Sequence, residues 1–389
     1  MANTITSLIA DLYVALDVVS REQVGFIPSV TLDPAVSRAA VGQNVTTFVT
    51  PAATATDITP GVTPPDDGDQ TLGHVTMQIT KARRVPLRWN GEQTLALNNN
   101  GPGQLTIKQA QLTQGIRTLT NEMESDIAAL HAQASRAYGS ASAYSFASDL
   151  SDPANVRKIL TDNGAPLMDM SLVINTMAGA KVRSLAQLTK ANEAGTTTLR
   201  EQGRLLDIHG FTLRESAAVK TPAAGTMASA TTTAAALTVG QTVIPLATAG
   251  TGVVAAGDII TIANDTNKYV VASASIAGAN PAAGDTITIA APGIRVAQAS
   301  AAYAITVVAA VARNMAFERS AIVLATRMPA LPDGGDLAVD RATITDPRSG
   351  ITFEVAMYAQ YRQMQYEISA AWGTAMIKPA HCALMISQP

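Results

Sequence analysis

The chain has a single cysteine, Cys382, in 389 residues. One cysteine cannot close an internal disulfide, so the fold is not of the small, stapled, secreted kind. Aromatic residues make up only 4% and charged residues only 15%. Ala, Val, Thr, Leu and Ile must therefore supply most of the packing. A basic excess is also missing, since the net charge is −3. Neutralising duplex phosphates takes a basic face, and the bulk charge does not supply one. No Lys or Arg precedes Arg21, and Asp11 and Asp17 interrupt the first apolar stretch, a pattern unlike a secretory signal. The longest apolar run, near 301–312, is Ala-rich and too short for a membrane helix. These absences point to the cytoplasm, or to a particle assembled there.

Catalytic signatures are missing as well. The histidines are His74, His131, His209 and His381, and none sits in an HExxH or CxxC-type pair. His381 adjoins Cys382, but neighbours on a strand point to opposite faces, so a buried thiol is expected there. There is no GxSxG elbow or Walker loop. "AGTGVVAAGD" (249–258) has glycines at the wrong spacing for a phosphate loop and reads as turns. No enzyme activity, cofactor or metal is expected.

What is present is a hydrophobic content of 47%, enough to exclude disorder and to favour a large buried area. Ile5, Leu8, Ile9, Leu12, Leu16 and Val19 share one helical face. That helix packs on the core or lies as an arm on a neighbouring subunit. "NVTTFVTP" is a short strand, and "AATATDITPGVTPPDDGDQ" is an exposed loop with an acidic tip at Asp66, Asp67 and Asp69. "HVTMQITKARRVPLRW" returns as a strand in which Val75, Met77 and Ile79 alternate with polar residues. Together they predict a long hairpin over 44–90, too small to stand alone and best supported by a neighbouring copy.

After "NNNGPGQ", residues Leu112, Ile116, Leu119, Met123, Ile127, Leu130, Ala134 and Ala137 follow the helical period. The spacing predicts a helix of about 30 residues, on the order of 45 Å long. Arg117, Glu122, Glu124, Asp126 and Arg136 fall on its other face, and the mid-helix carboxylates Glu122, Glu124 and Asp126 read as a solvated face. Residues 150–215 read as mixed α and β. A helix begins at "VRKIL", and "MSLVINT" is an apolar strand. "MAGAKVRSLAQLT" is a helix, and "GRLLDIHGFTLRES" is two strands about Gly210. Residues 218–312 hold only Lys220, Asp258, Asp265, Lys268, Asp285 and Arg295 as charges and read as an all-β unit. Within it "AAGDIITIA" (255–263) is nearly repeated as "AAGDTITIA" (282–290). Two copies are too few for a solenoid and predict two equivalent strands of a small barrel or sandwich. From 313 the earlier composition returns. "AIVLATRMPALP" is a strand, "ITFEVAMYAQYRQMQYEISAAWG" is two strands, and "TAMIKPAHCALMI" is a final apolar segment.

This order of parts resembles the major capsid (coat) proteins of tailed bacteriophages, which share the Hong Kong 97-type fold, and especially those with an inserted β-barrel domain. "VGQNVTTFVTP", "LVINTMAGAKVRSL", "GRLLDIHGFTLRES", "AGDIITIA", "RNMAFERSAIVLATRMP" and "WGTAMIKPAHCALMI" carry the likeness across almost the whole chain.

The resemblance implies an α+β fold divided into an N-terminal arm (1–43), an extended hairpin loop (44–90) and a peripheral domain with the spine helix (91–149). It further implies an axial domain (150–217 and 313–389, the latter returning to the peripheral domain) and an inserted β-barrel domain (218–312). It implies a non-enzymatic subunit that assembles as pentamers and hexamers into an icosahedral shell around double-stranded DNA. Implied partners are scaffolding protein, portal protein and possible decoration protein. The location is the virion, and the host cytoplasm during assembly. Asp66, Asp67 and Asp69 are candidates to pair with Arg83, Arg84 and Arg88 of an adjacent copy, or else keep the tip soluble. Some relatives weld the loop through a lysine. No lysine precedes Lys81, so no such cross-link is expected. The arm begins almost at Met1, so a scaffold is expected to be a separate protein. The β unit is a stability module or an exposed binding domain. An encapsulin-like compartment, or a β-rich adhesin, is the alternative class.

Overall fold

In the computed structural model the described residues are 25–33, 40–49, 55–63, 68–100, 104–190, 205, 207–346 and 350–389. The helix expected over 5–19 lies outside them. After a short turn at Ile27–Ser29 comes β1 (Thr31–Asp33). Strands β2 (Asn44–Val49) and β3 (Gly73–Gln78) pair antiparallel, Asn44 opposite Gln78 and Val49 opposite Gly73. The alternation read in the sequence is visible here: Met77 and Ile79 are buried, while Thr76, Gln78 and Thr80 face solvent. The hairpin does not continue to residue 90. The chain leaves it at Ile79–Thr80 and starts β4 (Lys81–Asn90), which pairs over its whole length in another sheet.

Helix α1 (Gly91–Asn100) was not foreseen from "GEQTLALNNN". Helix α2 (Gln104–Ala129) is the expected spine, but it has 26 residues and tightens into a 3₁₀ turn at Leu130–Gln133. Ala134 lies beyond it, and Ala137 belongs to β5 (Arg136–Gly139). The physical reason is Ser135. Its N–H and its hydroxyl both donate to the carbonyl of Cys382, at 2.9 and 2.6 Å, and draw the chain out of the helix into a sheet.

Next come α3 (Ser151–Asp162), β6 (Met170–Ile174), α4 (Thr176–Ser184), α5 (Ala186–Thr189) and β7 (Phe211–Glu215). The helix expected over "MAGAKVRSLAQLT" is split at Leu185, whose backbone is extended. Of the two strands expected about Gly210, the second forms as β7, and the first lies partly outside the described residues. Ile208 makes only a bridge to Phe211 across Gly210, whose φ is +81°. The β-rich region holds β8 (Ala230–Thr231), β9 (Val243–Pro245), β10 (Ile259–Ile262), β11 (Lys268–Ser275), β12 (Thr286–Ile289) and β13 (Ala304–Val307). The chain closes with β14 (Ala312–Glu318), β15 (Ile322–Arg327), β16 (Ala338–Thr345), β17 (Thr352–Gln360), β18 (Gln363–Met376) and β19 (Cys382–Ser387).

Two large sheets organise these strands. One runs β1-β15-β18-β17-β16, with β4 on β18. The other runs β7-β6-β14-β19-β5-β11-β10-β13-β8. All seven residues of β14 are buried, as suits a strand inside a sheet covered on both faces. Helix α2 lies on the first sheet. Leu112, Ile116, Leu119, Met123 and Ile127 join Phe353, Val355, Ile368 and Trp372 in the main core. Each large side chain so buried contributes about 1.5–3 kcal/mol. Helices α3 and α4 cover the second sheet through Val156, Leu160, Leu172, Val182, Phe211 and Met385.

The repeated nonapeptide now has a structural meaning. Its strands are β10 and β12, and both pair antiparallel with β11. Val271 bonds to the β10 side, while the Val270 carbonyl accepts from Ala290 beyond β12, so the copies flank β11 on opposite edges. Ile260, Ile262, Ile287 and Ile289 enter one cluster. In each copy a left-handed glycine precedes the aspartate, Gly257 at φ +88° and Gly284 at φ +95°. Each aspartate accepts from the amide three residues back: Asp258 from Ala255 at 2.7 Å, Asp285 from Ala282 at 2.8 Å. The copies differ in surroundings. A side chain at Gly257 would meet the Ala132 Cβ at 3.0 Å, whereas Gly284 faces open space. The first turn thus rests on the end of the spine helix. The unit is also joined to the body by β5, whose Ala137 and Arg136 pair with Lys268 and Tyr269 of β11.

Candidate assembly interface

The stretch between β2 and β3 carries apolar side chains that no described residue covers. Ile58 and Val62 are 97% and 105% exposed, and Leu72 is 56% exposed. Scattered exposed apolar residues are ordinary. Three on the described residues of one connecting stretch mark a surface that gains by being covered. Asp69 is exposed beside them. Asp66 and Asp67 lie outside the described residues.

The three arginines stand on β4, on two faces. Arg83 turns toward α2 and meets Glu122 at 3.3 Å. Arg84 turns the other way and meets Glu367 of β18 at 2.7 Å, and this partner raises its pKa. Arg88 is exposed, opposite Gln365, with no acidic partner among the described residues. No ion pair between described residues joins Asp69 to any of the three. Within one chain, two of the three candidate arginines are already engaged, which the sequence reading missed.

At the base of the hairpin, Lys81 donates to Glu122 at 3.1 Å and to Asp126 at 2.8 Å. The Trp372 indole donates to the other Asp126 oxygen at 2.8 Å. The spine acids are therefore not a solvated face, as the sequence suggested. Glu122 and Asp126 are four apart and share a face turned to β4 and β18. Glu124, about 200° round the helix, turns elsewhere. That the three acids are not on one face was visible in their spacing; which partners they meet was not. Asp126→Ala is expected to lower subunit stability by about 1–3 kcal/mol, because the indole N–H loses its acceptor and Lys81 keeps only Glu122. Chemical denaturation with Trp372 as the fluorescent reporter measures it.

Above this base the chain crosses β18 closely. A side chain at Gly373 would come within 1.8 Å of the Gln78 carbonyl oxygen. Met77 and Ile79 pack there on Val323, Ala325 and Ala371. Further along, the same face of the sheet is open and polar. Arg341 pairs with Asp336 and with Glu354 at 3.4 Å, and Tyr358 donates to Asp336 at 2.8 Å. Burial first, and then the Asp336 carboxylate, push the Tyr358 phenol up to about 12. A groove of about 330 Å³ runs between Arg83, Arg84 and the segment 329–332. Leu337 and Val339, which follow Asp336 of this groove in the chain, are 90% and 61% exposed.

Among the described residues, nothing in this arrangement is a catalytic constellation. Among the described residues no three His, Cys, Asp or Glu side chains converge on a metal position. Cys382 is wholly buried and burial pushes its thiol up, while His381 beside it is only partly buried. His131 is buried and hydrogen-bonded to the Ala128 carbonyl at 3.0 Å. No helix among the described residues is long and apolar enough to cross a membrane.

No family model matches the chain, and no curated protein does. Solved structures do match. A chain from Mycobacterium phage Che8 aligns with a TM-score of 0.50 at 12% identity, covering 93% of this chain and 91% of that one. A chain from the capsid of the cyanophage P-SCSP1u aligns with a TM-score of 0.50 at 10% identity, covering 94% and 88%. At such identities the likeness is one of fold. This chain has a mixed α+β fold of the kind found in these phage structures.

Proposed function

We propose that this chain is a shell-forming subunit, the major capsid protein of a tailed phage, acting as a structural protein without enzymatic activity. Copies assemble as pentamers and hexamers into an icosahedral shell that encloses double-stranded DNA. The six-stranded sheet with α2 serves as the peripheral domain, and the sheet centred on β14 with α3 and α4 as the axial domain. The region from 218 to 312 serves as the inserted β domain. Scaffolding, portal and decoration proteins are its partners, and the virion is its location after assembly in the host cytoplasm.

The observation that carries this reading is the exposed segment between β2 and β3, with Ile58, Val62 and Leu72 uncovered, on a fold shared with a phage capsid chain. A near-neutral subunit suits the role, since it encloses DNA without adhering to it. The acidic tip, Asp66, Asp67 and Asp69, docks on a neighbouring copy. Arg88 is its preferred partner, because Arg83 and Arg84 already hold Glu122 and Glu367.

Reversal of the three aspartates to lysine is expected to leave the subunit folded by circular dichroism while sedimenting shells are lost. Adding Arg88→Asp is expected to restore part of the assembly, whereas adding Arg84→Asp is not. Normal shells from the triple reversal would sink the pairing.

A further inference from the structure

Residues 25–30 form a strap ahead of β1. Phe26, Ile27 and Val30 are buried in the main core, and Phe26 stacks on Phe317 at 6.4 Å. The strap's backbone is held by one side chain of the spine helix. Glu124 accepts from the Phe26 N–H at 2.6 Å through Oε1 and from the Ile27 N–H at 3.0 Å through Oε2. The approach requires Gly25, where any Cβ would lie 1.8 Å from Oε1.

The same oxygen serves a second segment. Ser216 follows β7, where the chain departs toward the β-rich region. Its hydroxyl donates to Glu124 Oε1 at 2.9 Å and accepts from the Ala218 N–H at 3.2 Å. Two residues on, Lys220 donates to Ser125 of the spine at 2.5 Å, and its carbonyl accepts from Arg313 of β14 at 2.9 Å. An open cleft of about 720 Å³, lined by Gly25, Arg117, Glu124, Glu215 and Lys220 among others, lies alongside.

We propose that Glu124 is a latch coupling two segments, seating the strap 25–30 and the departure from β7 together so that neither is released alone. The latch belongs to the subunit and does not rest on the shell reading.

The latch is sensitive to protons. Burial raises the Glu124 carboxyl above its ordinary range, against the lowering pull of the Phe26 and Ile27 amides, Ser216 and Arg214. Arg214 faces it from β7, and Arg117, Glu215 and Lys220 line the cleft. When the strap leaves, water reaches the carboxyl and its pKa returns toward the ordinary value. The seated state therefore binds the proton more tightly. Seating is strongest below the ordinary carboxylate value and weakens as pH rises through the raised one.

The test is amide hydrogen exchange on the full-length chain, read as protection factors at Phe26, Ile27 and Ala218 from about pH 4 to about pH 8. In the unaltered protein the three amides should lose protection together as pH rises. Glu124→Gln has no charge and keeps one acceptor oxygen for the Phe26 N–H and the Ser216 hydroxyl, while its NH2 cannot accept from Ile27; Phe26 and Ala218 should stay protected with a flat pH profile and Ile27 should lose protection. Glu124→Ala should lose protection at all three by at least about tenfold, the loss of roughly one strong hydrogen bond, while β14 and β19 stay protected. Should that variant fail to fold, Ser216→Ala cuts only the second limb and should expose Ala218 and loosen Phe26. Strap amides that stay protected in Glu124→Ala would overturn the latch. So would a strap that opens without Ala218, or an unaltered protein whose protection is flat or rises with pH.

Discussion

Gly373→Ala is expected to abolish shell assembly while leaving a folded subunit. The new methyl would sit 1.8 Å from the Gln78 carbonyl oxygen and 3.1 Å from the Ile79 Cα. Backbone atoms cannot rotate aside as a side chain tip can, so the strand pair β2–β3 must lift from β18. Lifting it withdraws Met77 and Ile79 from Val323, Ala325 and Ala371. Overpacking of this kind costs about 1–3 kcal/mol, which a core as large as that under α2 can absorb. The assembly cost is far greater, because the exposed segment carried by β2 and β3 is then presented in the wrong direction. Thermal melts and sedimentation on the same preparation separate the two effects. A modest loss in Tm with a complete loss of sedimenting shells is the expected pair.

Excision of the β-rich region, residues 222–310, is expected to yield no soluble subunit at all. The cut ends adjoin, since the Lys220 carbonyl accepts from the Arg313 N–H, so the chain itself can be rejoined. The failure comes from what remains. β5 loses β11 and becomes the bare edge of the sheet that remains, which invites pairing with other chains. Arg136, almost wholly buried, loses Asn267 and keeps Asn163. Ile259 and Val270 vanish from the main core, and each such truncation costs about 2–5 kcal/mol. A binding appendage would come away cleanly. Soluble, folded subunits after excision would show that the region is such an appendage and not part of the framework.

Local patterns were legible in the sequence because they are set by local spacing. Val75, Met77 and Ile79 announced a strand with one buried side, and the Leu112–Ile127 series announced the spine. The doubled "AAGD" stretch announced two like strands. What could not be read depends on partners far along the chain. The helix stops at Ala129 because Ser135 finds Cys382, 247 residues away. Glu124 holds Phe26 from 98 residues away. The unforeseen strand β16 has an exposed edge and a polar sequence, "AVDRATIT", and it owes its form to β17 beside it. At the candidate interface, the sequence offered Arg83, Arg84 and Arg88 as candidate partners on one strand. The engagement of two of them by Glu122 and Glu367 was not legible, and it singles out Arg88.

The most direct test of the shell reading is negative-stain electron microscopy of the purified full-length protein, with light scattering for size. Uniform closed shells, or capsomers that close when scaffolding protein is added, are the predicted result. A stable monomer that never assembles, with or without scaffolding protein, would contradict the account.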